Sequence, residues 1–372
     1  MEMSARKVGE RDSNMELLRV VAMLMIVVFH IVHHVVINQF GTIPLFNYPL
    51  NYDKLFLLTI IRTFGYTSNN IFLIISGYFM ANRGKLTGHY IDMKRISTKL
   101  LLQVGFAALM LMLISSTVRI FFTERVSAYG ISVFNSMNWY VGYYLAVILI
   151  AALFLNDFLL ALDENEYMAC ILTMFALMSF TWTNSLISGF SGELVVLLLG
   201  VLMYSIGGFI RKYNPFEPIR SYVFVLIIVI IYVLVYLSQY VTTLTNITTY
   251  MYGEKKEMFE QTIVNFPKRG IVPFVLSICI FELFRRVHIP RSKMINFLGN
   301  ATFMIYLFHD NNFVRNIWNM HDWITPLHNN PALFLVQLSL CGALTFACGV
   351  GIYVLYMLTG FVGSKMKHLF LK

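Results

Sequence analysis

Glu16-Leu-Leu-Arg-Val-Val-Ala-Met-Leu-Met-Ile-Val-Val-Phe-His30 opens an apolar helix of membrane length that carries an arginine and a histidine. An α-helix turns about 100° and rises about 1.5 Å per residue, so positions eleven apart nearly superimpose in projection. Arg19 and His30 are eleven apart. They share one face and stand about 16 Å apart along the axis. Glu16 lies one turn before Arg19, and His33 and His34 continue the same side past His30. An ionisable side chain inside a bilayer costs on the order of 3 kcal/mol, so a pair on one stripe marks a functional site by default. The plainer alternatives are a snorkelling anchor for Arg19 and an interhelical hydrogen bond for His30. The shared face counts against both.

The 372 residues are 58% hydrophobic and 13% charged, with a mean hydropathy of +0.68. Soluble domains run at about 45–50% apolar and about 25% charged. The composition therefore predicts an all-α, polytopic transmembrane helix bundle, a single domain over residues 1–372. Its many Phe (32), Tyr (21) and Met (21) suit lipid-facing surfaces, interfacial belts and adaptable packing. The net charge of +9 falls between apolar segments, which is a topology signal rather than a nucleic-acid footprint. Four cysteines lie in apolar runs without CxxC spacing, so neither a disulfide framework nor a metal site is expected. The first apolar segment is too long for a signal peptide and lacks a cleavage site, so it reads as an uncleaved span.

Working outward, residues 1–14 form a basic lead. Ten spans follow, at about 15–37, 64–78 (with 55–64 interfacial or a frayed start), 100–122, 139–158, 167–187, 193–210, 221–241, 270–284, 294–313 and 332–358. Ser188-Gly-Phe-Ser-Gly192 reads as a tight turn, and residues 359–372 as a basic tail. Ten spans put both termini on one side. That side holds eighteen Lys and Arg against nine on the other, which makes it cytoplasmic by the positive-inside bias. There is no internal repeat, Walker loop, GxGxxG or HExxH, so chemistry must occur in the membrane or its short loops.

Depth then selects the candidates. His30 and His309 each lie about fifteen residues into a span that starts at the cytoplasm. His309-Asp310-Asn311-Asn312, with Arg315 a turn later, is too polar for lipid; it lines a cavity or packs as an outer mouth against a neighbouring loop. Asn69 and Asn70 put amides into span two, where Ser76 and Gly77 read as close helix packing. Trp139-Tyr140 and Tyr143-Tyr144 look like an aromatic belt, although aromatics at a cavity mouth also stack on sugars. Lys94, Arg95 and Lys99 form a basic loop that serves topology or binds phosphate.

These segments resemble the acyltransferase family 3 membrane proteins. Arg19 and His30 match that family's first-helix Arg-(ten residues)-His pattern, and Asn70-Ile-Phe-Leu-Ile-Ile-Ser-Gly-Tyr-Phe79 is similar to its Ser-Gly-aromatic signature. Asn138-Trp-Tyr-Val-Gly-Tyr-Tyr144 resembles its Trp-aromatic helix start, and Leu298-Gly-Asn-Ala-Thr-Phe-Met-Ile-Tyr-Leu-Phe-His-Asp310 its late Thr-Phe-x-Ile-Tyr-Leu-x-His segment. The family often shows Arg-x-x-Arg before its third helix; here Arg95 and Lys99 stand at a different spacing.

The resemblance implies a transmembrane-only member in a bacterial inner membrane. It would move an acyl group, commonly acetyl, from acetyl-CoA or another acyl-CoA to a hydroxyl of a surface glycan or lipid-linked sugar. Arg19, Arg95 and Lys99 would hold the donor, and His30 would act as general base with His309 and Asp310. Asn69, Asn70, Trp139 and Tyr140 would contact substrate. The rivals are a transporter of lipid-linked sugars and an assembly subunit of an envelope polymer machine.

Overall fold

A computed structural model describes residues 12–41, 55–121, 139–183, 185–252 and 270–370, and no strand occurs among them. Helix α1 (Ser13–Ile31) passes through a π-helical turn at Val32–Val36 into Ile37–Gly41. Helices α2 (Leu55–Met80) and α3 (Met93–Phe121) follow. Helix α4 (Trp139–Ile150) has its own π-turn at Ala151–Leu155 and continues over Asn156–Ala161. Then come α5 (Glu164–Thr183), α6 (Ser185–Tyr213), α7 (Ser221–Tyr252), α8 (Ile271–Arg286) and α9 (Lys293–His309). The short α10 (Asn312–Asn319) and α11 (Ile324–Asn329) lead into α12 (Pro331–Phe370).

Six stretches among the described residues are long and apolar enough to cross a membrane: Ser13–Gln39, Met93–Phe121, Trp139–Ala161, Leu194–Tyr213, Ser221–Thr245 and Pro331–Gly360. The chain is a multi-pass membrane protein. The other four expected spans coincide with α2, α5, α8 and α9, which are more polar or shorter. Helix α2 carries Arg62 and Thr67-Ser68-Asn69-Asn70, and α8 and α9 have only 16 and 17 residues. Helix α7 shows apolar Val225, Leu226, Val229, Ile230, Val233 and Leu234 outward, the surface a lipid-facing helix presents.

Several boundaries differ from the sequence expectation. Residues 55–64 belong to a continuous α2. The expected turn at 188–192 is helical, inside α6. The expected ninth span ends at His309, because Asp310 leaves helical geometry (φ −107, ψ 81) and Asn311 caps the next helix, its side chain accepting from the Val314 N–H. Arg95 and Lys99 are not in a loop; they ride on the first turns of α3.

Helix α1 lies between α2 and α9, while α2 also packs on α6, α7 and α8 and α9 packs on α12. The α2–α6 crossing is built from small residues on both sides. A Cβ on Gly77 would lie 1.8 Å from the Tyr204 carbonyl oxygen, and one on Gly207 would lie 2.1 Å from that of Ile74. Backbones approach this closely only where side chains are absent. Gly299 likewise lets α9 press onto Glu16, whose Oε2 would be 2.2 Å from an added Cβ.

The basic residues that end α8 are tied down rather than merely exposed. Glu282 is fully buried and pairs with Arg285 at 2.8 Å and Arg286 at 3.2 Å. Arg286 also donates to the carbonyls of Phe216 and Ile219, and Arg285 to Asn214. A buried carboxylate with two guanidiniums and capped carbonyls is a pair whose disruption strands a charge.

Candidate active site

The site has two parts along α1, a histidine network at the His30 end and a cavity at the Arg19 end. His309 is fully buried. Its Nδ1 lies 2.8 Å from the Tyr306 carbonyl oxygen and 3.1 Å from that of Ile305. Carbonyls only accept, so the network assigns the His309 proton to Nδ1 and leaves Nε2 as an acceptor. Nε2 sits 2.7 Å from His30 Nδ1, which must therefore donate. Neutral His30 is left with its lone pair on Nε2. That nitrogen lies 3.7 Å from Asp310 Oδ2.

Asp310 is itself held. Arg315 donates to Asp310 Oδ1 from Nε at 2.9 Å and from Nη2 at 2.6 Å, and Nη2 lies 2.8 Å from His34 Nε2. A guanidinium has no acceptor, so His34 accepts there. His34 stacks on His30, with ring centroids 5.3 Å apart and planes inclined by 22°. His33 leaves the stripe and stacks on Phe29 instead, at 5.1 Å. The π-turn begins directly after Ile31 and contains both His33 and His34. Such insertions locally re-aim side chains and occur often at functional sites.

His30, His34 and Asp310 offer three ligand atoms within 4.8 Å of one another, a set that can hold a divalent cation. Arg315 already places positive charge on two of the three. The set as arranged is neutralised by a guanidinium.

The cavity has a volume of about 260 Å³ and runs along α1 from Arg19 past Met23 to Ile26, one turn short of His30. Arg19, Lys99 and Asn300 line it, as do Ser76, Gln103, Tyr144, Asn69, Tyr140 and Tyr306. Arg19 Nη1 lies 3.0 and 3.2 Å from the two oxygens of Glu16, which fixes the guanidinium at the wall. Tyr306 connects the two parts. Its ring is 5.7 Å from Tyr140 and 5.8 Å from His309. The Tyr140 hydroxyl donates to the Asn69 carbonyl at 3.3 Å.

Of the residues expected from sequence, Arg19, Lys99, Asn69 and Tyr140 meet in the cavity, and His30, His309 and Asp310 meet in the network. Three fall elsewhere. Arg95 is exposed and lies outside the cavity lining; its backbone N–H takes the Asp92 carboxylate at 2.9 Å. Asn70 is buried and absent from the lining, with Nδ2 lacking a hydrogen-bond partner. Trp139 is 46% exposed and packs on Tyr140 and Tyr143. Helical phase separates Asn70 from Asn69 and Trp139 from Tyr140, since adjacent residues on a helix point about 100° apart, whereas Arg95 lies one turn before Lys99 at the start of α3.

Tyr306 and Gln103 carry no expectation from sequence, while His34 is expected only on the His30 stripe and Arg315 only within a polar, cavity-lining stretch. His34 is four residues after His30 and Tyr306 three before His309, so the helical repeat carried the signal for both. Gln103 follows Lys99 by one turn as an amide within an otherwise apolar segment.

No curated protein and no solved structure matches the chain. The family profile described as an acyltransferase domain matches residues 12–354. Over that length, with an Arg-lined cavity leading toward a paired histidine in a helical membrane bundle, the chain belongs to the acyltransferase 3 family and is a membrane acyltransferase.

Proposed function

We propose that the protein transfers an acyl group, acetyl in the simplest case, from acyl-CoA to a hydroxyl of a surface or exopolysaccharide sugar. The observation that carries this reading is the alignment of a small cavity, cationic at one end, with a tautomer-fixed histidine one turn beyond its other end. Arg19 and Lys99 supply the charge that a CoA headgroup needs at the cytoplasmic face. From Arg19 the pantetheine arm follows α1, and the roughly 16 Å to His30 brings the thioester to the base.

Transfer then needs one proton relay. The acceptor hydroxyl attacks the thioester carbonyl while His30 Nε2 takes its proton. The C–S bond breaks, and the departing sulfur receives that proton to leave as the free thiol. His309 fixes the His30 tautomer through Nδ1. Asp310, held by Arg315, faces the imidazolium that forms. General-base assistance of this kind contributes about 10²- to 10⁴-fold.

The test uses purified protein in nanodiscs, with CoA release followed with and without candidate glycan. His30→Gln is expected to bind acetyl-CoA and not turn over. Full activity in inserted His30→Gln protein would overturn the general-base role, and a wild type that never consumes acyl-CoA would overturn the reaction.

A further inference from the structure

Gln103 lies in the cavity wall and is 1% exposed, and its Nε2 has no hydrogen-bond partner. A buried donor left without an acceptor is destabilising. Such a group is kept where something that binds there completes it. We infer that Gln103 is a specificity-determining residue for the acyl donor, its side-chain amide donating to an amide carbonyl of the donor's pantetheine arm. This rests on the proposed acyl-CoA reaction.

Three observations fix the kind of ligand. The cavity's volume of about 260 Å³ lies below the range of about 300–1,000 Å³ typical of small-molecule sites. It takes in only part of a ligand the size of CoA. Gln103 stands four residues after Lys99, hence about 6 Å further along α3. A group bound beside Gln103 is therefore one step inward from a phosphate held by Lys99, where the arm presents the first of its two amides. Several neighbours of Gln103 in the wall are apolar or already engaged. Met23 and Phe72 are apolar, Thr302 donates to the Gly299 carbonyl at 2.8 Å, and Ser76 donates to the Phe72 carbonyl at 2.8 Å. Gln103 is thus a buried donor of this wall with no partner of its own. An alkyl chain entering the cavity would leave it unsatisfied, and an amide-bearing chain would not.

The experiment separates arm from headgroup with two probes, CoA and 3′,5′-ADP, titrated calorimetrically against nanodisc protein. The nearly isosteric Gln103→Met is expected to weaken CoA binding about tenfold while leaving 3′,5′-ADP binding unchanged. Gln103→Glu keeps the size and offers an acceptor, and is expected to weaken CoA at least as much. Equal losses for both probes would show a structural wall residue and overturn the assignment. So would no loss for either. If wild type binds CoA no more tightly than 3′,5′-ADP, the arm does not use the cavity and the inference fails while headgroup recognition stands. If wild type binds neither probe, the acyl-CoA reading itself fails.

Discussion

The two ends of the site are built on opposite principles. At the His30 end nearly every polar group is spoken for: His309 by two carbonyls, His30 by His309, Asp310 and His34 by Arg315. At the other end a cavity remains, with Arg19 anchored by Glu16 and Gln103 carrying an unmet donor. Groups that move a proton work best when already positioned and their surroundings need not reorganise. A site that takes in a ligand needs space and incomplete hydrogen bonds. The contrast predicts that variants at the His30 end change turnover and variants at the Arg19 end change affinity.

The largest effect that sharpens this division is expected from His30→Gln, a fall in kcat of about 10²- to 10⁴-fold with acetyl-CoA affinity held within about threefold of wild type. Stopped-flow CoA release beside calorimetric titration reads both quantities. Loss of binding would erase the division. Next comes Arg19→Ala, expected to weaken CoA binding about 10- to 100-fold, as loss of a charge-assisted contact does. Its kcat at saturating donor should fall much less, so a collapse of kcat would break the comparison from the other side.

Arg315→Lys comes third. A lysine keeps the charge but cannot span Asp310 and His34 with one planar fork. The expected outcome is a kcat lower by about tenfold with unchanged donor affinity. Arg315→Gln should lose more than Arg315→Lys. Equal losses would mean that the two-partner geometry, and not the charge, is what Arg315 supplies.

How much of this was readable beforehand follows the physics of each signal. The eleven-residue spacing of Arg19 and His30 survives as the axis of the site because helical phase is a local property. The meeting of His30 with His309 was legible only as equal depth, since depth follows from counting while the facing of two helices is a tertiary fact. Asn69 and Asn70 illustrate the limit. They are neighbours of one type, yet one lines the cavity and the other does not, because one residue of rotation decides. The π-turn over Val32–Val36 left no mark in composition, and it explains why His34 keeps the stripe while His33 leaves it. Helix ends were least legible. Asp310 stands outside α9, and Arg95 and Lys99 inside α3, because capping, not hydropathy, sets where a helix stops.

The smallest effect tests whether the Arg19 end is electrostatic at all. Lys99 is exposed at residue level yet lines the cavity, one turn from Gln103, so its attraction for a phosphate is partly screened. The screening length falls from about 10 Å at 0.1 M salt to about 3 Å at 1 M. CoA affinity should therefore drop as salt rises, and Lys99→Gln should weaken binding about threefold at low salt while flattening that dependence. Arg19, fixed by Glu16 and less exposed, should lose less of its contribution over the same range. If Lys99→Gln keeps the full salt dependence, the headgroup is held elsewhere on the surface. The cavity would then recognise the arm alone, and the division between a chemical end and a binding end would have to be redrawn around Gln103.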